Sequence, residues 1–377
     1  MTQKQRGQYF TSNPILLEEI RKLVVHTTGT ILEPSAGKGH IIEFLRNHGE
    51  HRPWVAVEID TTLDPPNGIP YVYCDFLQYT PTQTFSTIVG NPPYVKASPI
   101  NLYLHFLHKC LSLLEERGEM IMVVPTDMLY LTSGTQLREN MFSQGSITHI
   151  FRPNKENLFK NATQDVMVFR YEKGLFNVPI LYNNNSCTPI FNRGILYTAT
   201  YTQYIECASF FDIKVGMISG CDKVFRHPEG NINCLTRGGR ECPVIFIDEY
   251  PSHHVVIDTH LAAHKGQLLA RKISKITEQN WFKWGAIRNR AFITSGQEDD
   301  CIYMEMLTRS STVAFIRKRM FFDGNLLCLS PKDKHINLEK WCAYFNSPCF
   351  VDYFKQSGRF KIGQRLLSGF PLPVDIE

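Results

Sequence analysis

Nowhere does the 377-residue chain hold the roughly 18 to 20 consecutive apolar residues that span a bilayer. Nor does its opening Met1-Thr2-Gln3-Lys4-Gln5-Arg6-Gly7 lead into the apolar core of a signal peptide. The expectation is an intracellular, cytoplasmic protein with no membrane partner. Its 11 cysteines contain no Cys-x-x-Cys pair, which excludes the usual structural zinc site and a dithiol redox motif. His253-His254 and His260-x-x-x-His264 have no third ligand of suitable spacing after them, so no metal is expected. A phosphate-cradling Gly-x-x-x-x-Gly-Lys-Ser/Thr is missing, as are internal repeats.

What remains is an ordinary globular composition, 43% apolar and 20% charged, long enough for two domains. The net charge of +4 is unevenly placed: residues 1–180 hold 16 basic against 17 acidic side chains, residues 181–377 hold 24 against 19. A polyanionic partner for the second half follows from that asymmetry, although a slightly basic domain with no such partner has the same balance.

Along the first half, short β-branched runs alternate with helical spacers. Thr30–Glu33, Trp54–Glu58, Tyr71–Asp75, Phe85–Val89 and Glu119–Val124 read as strands, and Ile147–Ile150 with Asp165–Tyr171 close the set. This pattern predicts an α/β, doubly wound, mostly parallel seven-stranded sheet. Ser12 or Asn13 caps a first helix that has Pro14 at its first position. After about Lys173 the long helical periods stop. Asn183-Asn184-Asn185-Ser186 reads as a linker or exposed turn, giving expected domains of 1–180 and 181–377, the second of mixed α+β structure.

Three acidic residues fall at strand ends. Glu33 precedes the glycine turn Gly37-Lys38-Gly39, Glu58 ends the next strand, and Asp75-Phe76 follows the third. Such turns let a backbone approach a ligand, and an acid at the second strand accepts ribose hydroxyls. Asp75 offers a carboxylate to an exocyclic amine, and Phe76 a ring edge to an adenine face. A carboxylate as near the turn as Glu33 would repel pyrophosphate and favour an ammonium, which selects S-adenosylmethionine over NAD or ATP. The fourth strand runs into Asn91-Pro92-Pro93-Tyr94. The Asn91 side-chain carbonyl and the Pro92 main-chain carbonyl can accept the two N–H bonds of a planar amine and expose its lone pair. Tyr94 can stack on the base that carries the amine.

These motifs resemble the DNA adenine-N6 methyltransferases in their gamma ordering, over roughly residues 7–172. Gly7–Pro14 is similar to the family's N-terminal cofactor segment, Leu32–Gly39 to its glycine motif, Val57-Glu58-Ile59-Asp60 to its ribose motif, Cys74-Asp75-Phe76 to its adenine motif and Asn91–Tyr94 to its catalytic motif. The resemblance implies a methylase of type II restriction and modification that takes methyl from S-adenosylmethionine to a flipped adenine in a short duplex site. Its order is similar to that of members acting on TCGA. It also implies cofactor contacts from Phe10, Thr11, Glu33, Ala36, Gly37, Gly39, Glu58, Ile59, Asp75 and Phe76, and Phe159 as a second aromatic against the base. A monomer paired with a separate endonuclease is the implied setting. The second domain resembles target recognition domains only in texture. Its candidate double-stranded DNA contacts are Arg288, Arg290, Arg317, Lys318, Arg319, Arg359, Lys361 and Arg365. Two alternatives stay open: methylation of another planar nitrogen, on an rRNA base or a release-factor glutamine, and a non-catalytic DNA-binding module that keeps the fold.

Overall fold

The structure is a computed structural model that describes residues 9–66, 68–97, 100–153, 158, 165–356 and 358–374. The chain divides into two compact units, 1–203 and 204–377.

In the first unit, strands β1 (Ile31–Glu33), β2 (Trp54–Glu58), β3 (Tyr71–Tyr73), β4 (Phe85–Gly90), β5 (Leu114–Pro125), β6 (Gly145–Phe151) and β7 (Val166–Lys173) form the expected sheet. Three more strands extend it: β8 (Ile180–Tyr182), β9 (Asn185–Asn192) and β10 (Ile195–Ala199). The order is β10-β9-β8-β6-β7-β5-β4-β1-β2-β3, so seven of the ten strands make the core predicted from sequence. Strands β3, β2, β1, β4 and β5 run parallel, and β7 is antiparallel to both neighbours.

The three added strands move the boundary expected near residue 180. Asn183 and Asn184 take φ of 46° and 67°, which asparagine tolerates better than most residues, and close a tight β8–β9 hairpin. The asparagine run is thus a turn within the first unit. Arg138, 1% exposed, ties the next turn to the unit: its guanidinium donates to the main-chain carbonyls of Gly194, Met128 and Leu131.

Helix α1 (Pro14–Leu23) lays Leu16, Leu17, Ile20 and Leu23 against Ile121, Val123, Val166 and Val168 on one sheet face. Asn13 is its cap, its side chain accepting from the Ile15 amide at 3.0 Å. Helix α2 (His40–Asn47) follows the glycine turn, and α3 (Leu102–Leu113) covers the other face with Tyr103, Leu104, Phe106 and Leu107 against Ile88, Met120 and Met122. At the lower edge, buried charges are paired: Glu119 accepts from Arg170 at 3.0 Å and from Thr87 at 3.2 Å, and Thr87 accepts from Arg52 at 2.9 Å.

The second unit is mixed α+β. A four-stranded antiparallel sheet orders Phe211–Val215, Leu326–Pro331, Asp300–Glu305 and Ala314–Lys318. Around it lie smaller sheets and short helices, with Trp281, Phe282, Trp284 and Phe225 in the core.

Candidate functional site

At the carboxyl ends of β1, β2, β3 and β4 lies a cavity of about 430 Å³. Its lining includes nine of the ten expected cofactor residues: Phe10, Thr11, Glu33, Ala36, Gly37, Glu58, Ile59, Asp75 and Phe76. Gly39 is the exception. It sits at the start of α2 with φ 73°, and a Cβ there would fall 2.8 Å from Pro66 and 3.0 Å from the Tyr71 hydroxyl. Gly39 therefore shapes the turn from behind.

Gly37 faces the cavity at φ 58°, and a Cβ on it would come within 2.9 Å of the Phe10 ring. Its amide donates to Glu58 Oε2 at 2.7 Å, while Glu58 Oε1 accepts from the Asp60 amide at 2.8 Å. Glu58 thus locks the β1 turn to the end of β2. Asp75 is exposed at the rim, with one oxygen accepting from the Leu77 amide at 2.9 Å. Phe76 is 2% exposed and packs on Phe106 at 5.0 Å.

Glu33 differs from the other two acids. It is 2% exposed, and its Oε2 has no hydrogen-bond partner. Burial first, and then the neighbouring Glu58 carboxylate, push its pKa well above the usual carboxylate range. A buried, unpaired acid lining a cavity calls for a cation, and the ammonium of an amino acid moiety supplies one. The residues present fit S-adenosylmethionine on that ground.

The catalytic motif borders the same cavity through Asn91 and Pro93. Asn91 Nδ2 donates to the Tyr9 carbonyl at 2.8 Å and to Thr11 Oγ1 at 3.0 Å, and the Asn91 main-chain carbonyl accepts from Ser35 Oγ at 3.1 Å. With both Nδ2 contacts on the N-terminal segment, the side-chain oxygen is turned the other way, where it accepts from the Tyr94 hydroxyl. Pro92 is buried. The Tyr94 hydroxyl oxygen also lies 3.0 Å from the Val123 carbonyl, and the ring packs edge-on to Tyr103, so it lies inward and does not line the cavity. Phe159 lies outside the described residues.

Among the lining residues that were not expected are His40 and Lys38. His40, the first residue of α2, lines the cavity with Nδ1 buried and unpartnered, its pKa lowered chiefly by burial. Lys38 stands over the Phe10 ring at 5.2 Å. Lys38 falls inside the glycine motif and His40 directly after it, where position was the only available signal.

The basic candidates of the second unit separate by their partners. Arg290 pairs with Asp248 at 2.7 Å and Lys318 with Asp300 at 3.1 Å. The Arg319 side chain is 10% exposed and bonds Ser330 at 2.7 Å and Asp299 at 3.1 Å, a structural position. Arg288, Arg317, Arg359, Lys361 and Arg365 are exposed.

The strand order, the reversed β7 and the cavity at the strand ends define the fold of the S-adenosylmethionine-dependent methyltransferases. Within it, residues 71–159 match the Eco57I restriction-modification methylase family. The chain is 30% identical over 174 residues to the type II methyltransferase M.TthHB8I of Thermus thermophilus, a match covering 39% of this chain and 40% of that protein. It is 26% identical over 214 residues to M.HincII of Haemophilus influenzae, covering 50% and 42%. The chain thus spans about two fifths of the length of these curated relatives. Among solved structures, the type IIL restriction-modification enzyme MmeI in complex with DNA has a similar fold over 97% of this chain and 64% of its own, with a TM-score of 0.55 at 10% identity.

Proposed function

We propose that the chain is a DNA adenine-N6 methyltransferase of a restriction-modification system. One observation carries the reading: the Asn91 carboxamide is held with its nitrogen satisfied and its oxygen turned away, beside a cavity whose buried Glu33 lacks a partner. Bound S-adenosylmethionine supplies an electrophilic methyl group. The chain's own groups then do the rest. Glu33 takes the ammonium, Asp75 and Phe76 take the adenine, and Glu58 holds the glycine turn while its remaining lone pairs accept from ribose. Asn91 Oδ1 and the Pro92 carbonyl accept the two N–H bonds of the target amine, drawing the nitrogen towards tetrahedral geometry. No general base is required, because the amine proton becomes acidic once the nitrogen is alkylated.

Tyr94 must release Asn91 Oδ1 before an amine can use it. In the base-bound form its ring would turn outward to stack, contributing roughly 1 to 3 kcal/mol against the few kcal/mol that unstacking a base costs. Phe159 is proposed as the second aromatic and TCGA as the candidate site. The second unit is proposed as the target recognition domain, on its basic balance and its place after the catalytic motif. The test is transfer of labelled methyl to duplex DNA, followed by digestion to nucleosides. N6-methyladenine is the expected product. Label on rRNA or on a glutamine-bearing release factor in place of DNA would move the acceptor to another planar nitrogen.

A further inference from the structure

The second unit carries a basic hairpin turn. The strands Ile232–Thr236 and Arg240–Val244 are joined by the turn Arg237-Gly238-Gly239, their register ending on Thr236 opposite Arg240. Gly238 and Gly239 have φ of 69° and 68°, which L side chains adopt with strain. The tip is clamped: the Gly238 amide donates to the buried Glu305 carboxylate at 2.8 Å, Thr236 Oγ1 donates to the Arg240 carbonyl at 2.9 Å, and Arg237 donates to Asn325 Oδ1 at 3.1 Å. Arg317 comes alongside from a neighbouring strand. A Cβ on Gly239 would lie 3.5 Å from its Nη2 and 3.4 Å from the Phe315 ring, above which the Arg317 guanidinium sits at 5.9 Å.

Three exposed arginines are therefore carried on or beside one clamped turn. Among the described residues none of the three is in an ion pair, whereas Arg290, Lys318 and Arg319 are each neutralised by an aspartate. Like charges gathered without an ion-pair partner of their own repel one another, and a polyanion relieves that repulsion. The clamp on the turn reduces what must be ordered on binding. We propose that the Arg237–Arg240 turn, together with Arg317, is a DNA-contacting tip that grips backbone phosphates. The proposal rests on the DNA reading above and names the surface that serves it.

The test is equilibrium binding of the full chain to a short mixed-sequence duplex over a series of salt concentrations, comparing wild type with the triple variant Arg237→Ala/Arg240→Ala/Arg317→Ala. Each phosphate contact contributes about 0.9 to the slope of log K against log salt. The triple variant is expected to lower that slope by about 2 to 3 and to keep the wild-type thermal midpoint. An unchanged slope overturns the proposal. So does an equal loss from Arg290→Ala, whose side chain is already paired, because the effect would then follow net charge and not the tip. A wild-type chain that binds no duplex would refute the DNA reading itself, which keeps the two failures apart.

Discussion

Asn91 is the residue on which most of the proposed chemistry converges, and its contacts say what replacing it should do. Asn91→Ala removes the side-chain acceptor and the bonds to Tyr9 and Thr11 together. Turnover should fall by roughly 100- to 1,000-fold, the range seen when one preorganised group is removed from a reacting centre. Cofactor affinity, measured by calorimetry, should change far less; a parallel loss of both would place Asn91 on the cofactor. Thr11→Val removes the hydroxyl that Asn91 Nδ2 donates to while leaving Asn91 in place, and cofactor affinity measured alongside separates that loss from any effect on the cavity Thr11 lines. The substitution should cost about one hydrogen bond, roughly 1 kcal/mol or fivefold in turnover, and Thr11→Ser should restore it. Glu33 carries the pH dependence. With its pKa raised in the folded protein, the group favours folding at low pH, and that contribution is lost as pH rises through the raised value. In the cofactor-free protein at pH above that raised value, Glu33→Gln should therefore raise stability, because the amide has no charge to desolvate. The same change should weaken cofactor binding and abolish its tightening as pH rises. A Gln variant that binds as wild type, with the same pH profile, would remove Glu33 from the ammonium site. The acids at strand ends and Asn91 were legible in the sequence because each follows an apolar run. The tie from Asn91 to Thr11, 80 positions away, was not, since a long-range hydrogen bond leaves no local pattern.

At the scale of elements, the glycine turn and the β9–β10 hairpin make separate predictions. Gly37→Ala forces an L side chain to φ 58° and drives its Cβ into the Phe10 ring. The backbone cost alone is about 1 to 2 kcal/mol, so cofactor affinity should drop by roughly tenfold, with the loss visible in a binding isotherm before any change in fold. Retained affinity would mean the turn yields easily. Arg138→Leu strands the carbonyls of Gly194, Met128 and Leu131 without their charged donor. Hydrogen exchange should then speed up first across residues 185–199; uniform exchange over the whole first unit would deny the hairpin a local anchor. The seven core strands were legible from alternating apolar runs. The last three were not, because positive-φ asparagines close a tight hairpin with the same residue type that marks an unstructured connector. In the second unit, short strands paired across distant segments, such as Phe211–Val215 with Leu326–Pro331, gave the sequence no period to show.

For the whole molecule, the division into two units matches a division of labour suggested by charge: a cofactor cavity built within the first, and excess positive charge in the second. The doubly wound sheet and the motif order were legible in the sequence, since short apolar strands alternate with helical spacers and the cofactor motifs precede the catalytic motif along them. The distribution of basic residues was legible only as a total. That Arg290, Lys318 and Arg319 are neutralised depended on where Asp248, Asp300 and Asp299 came to lie. The central claim, that Asn91–Tyr94 presents an adenine amine to a methyl donor, is tested most directly by incubating the full chain with duplex DNA and methyl-labelled S-adenosylmethionine, then identifying the labelled nucleoside by mass spectrometry. The expected result is label in N6-methyladenine with wild type and its near disappearance with Asn91→Ala. Label in another base, or equal labelling by Asn91→Ala, would contradict it.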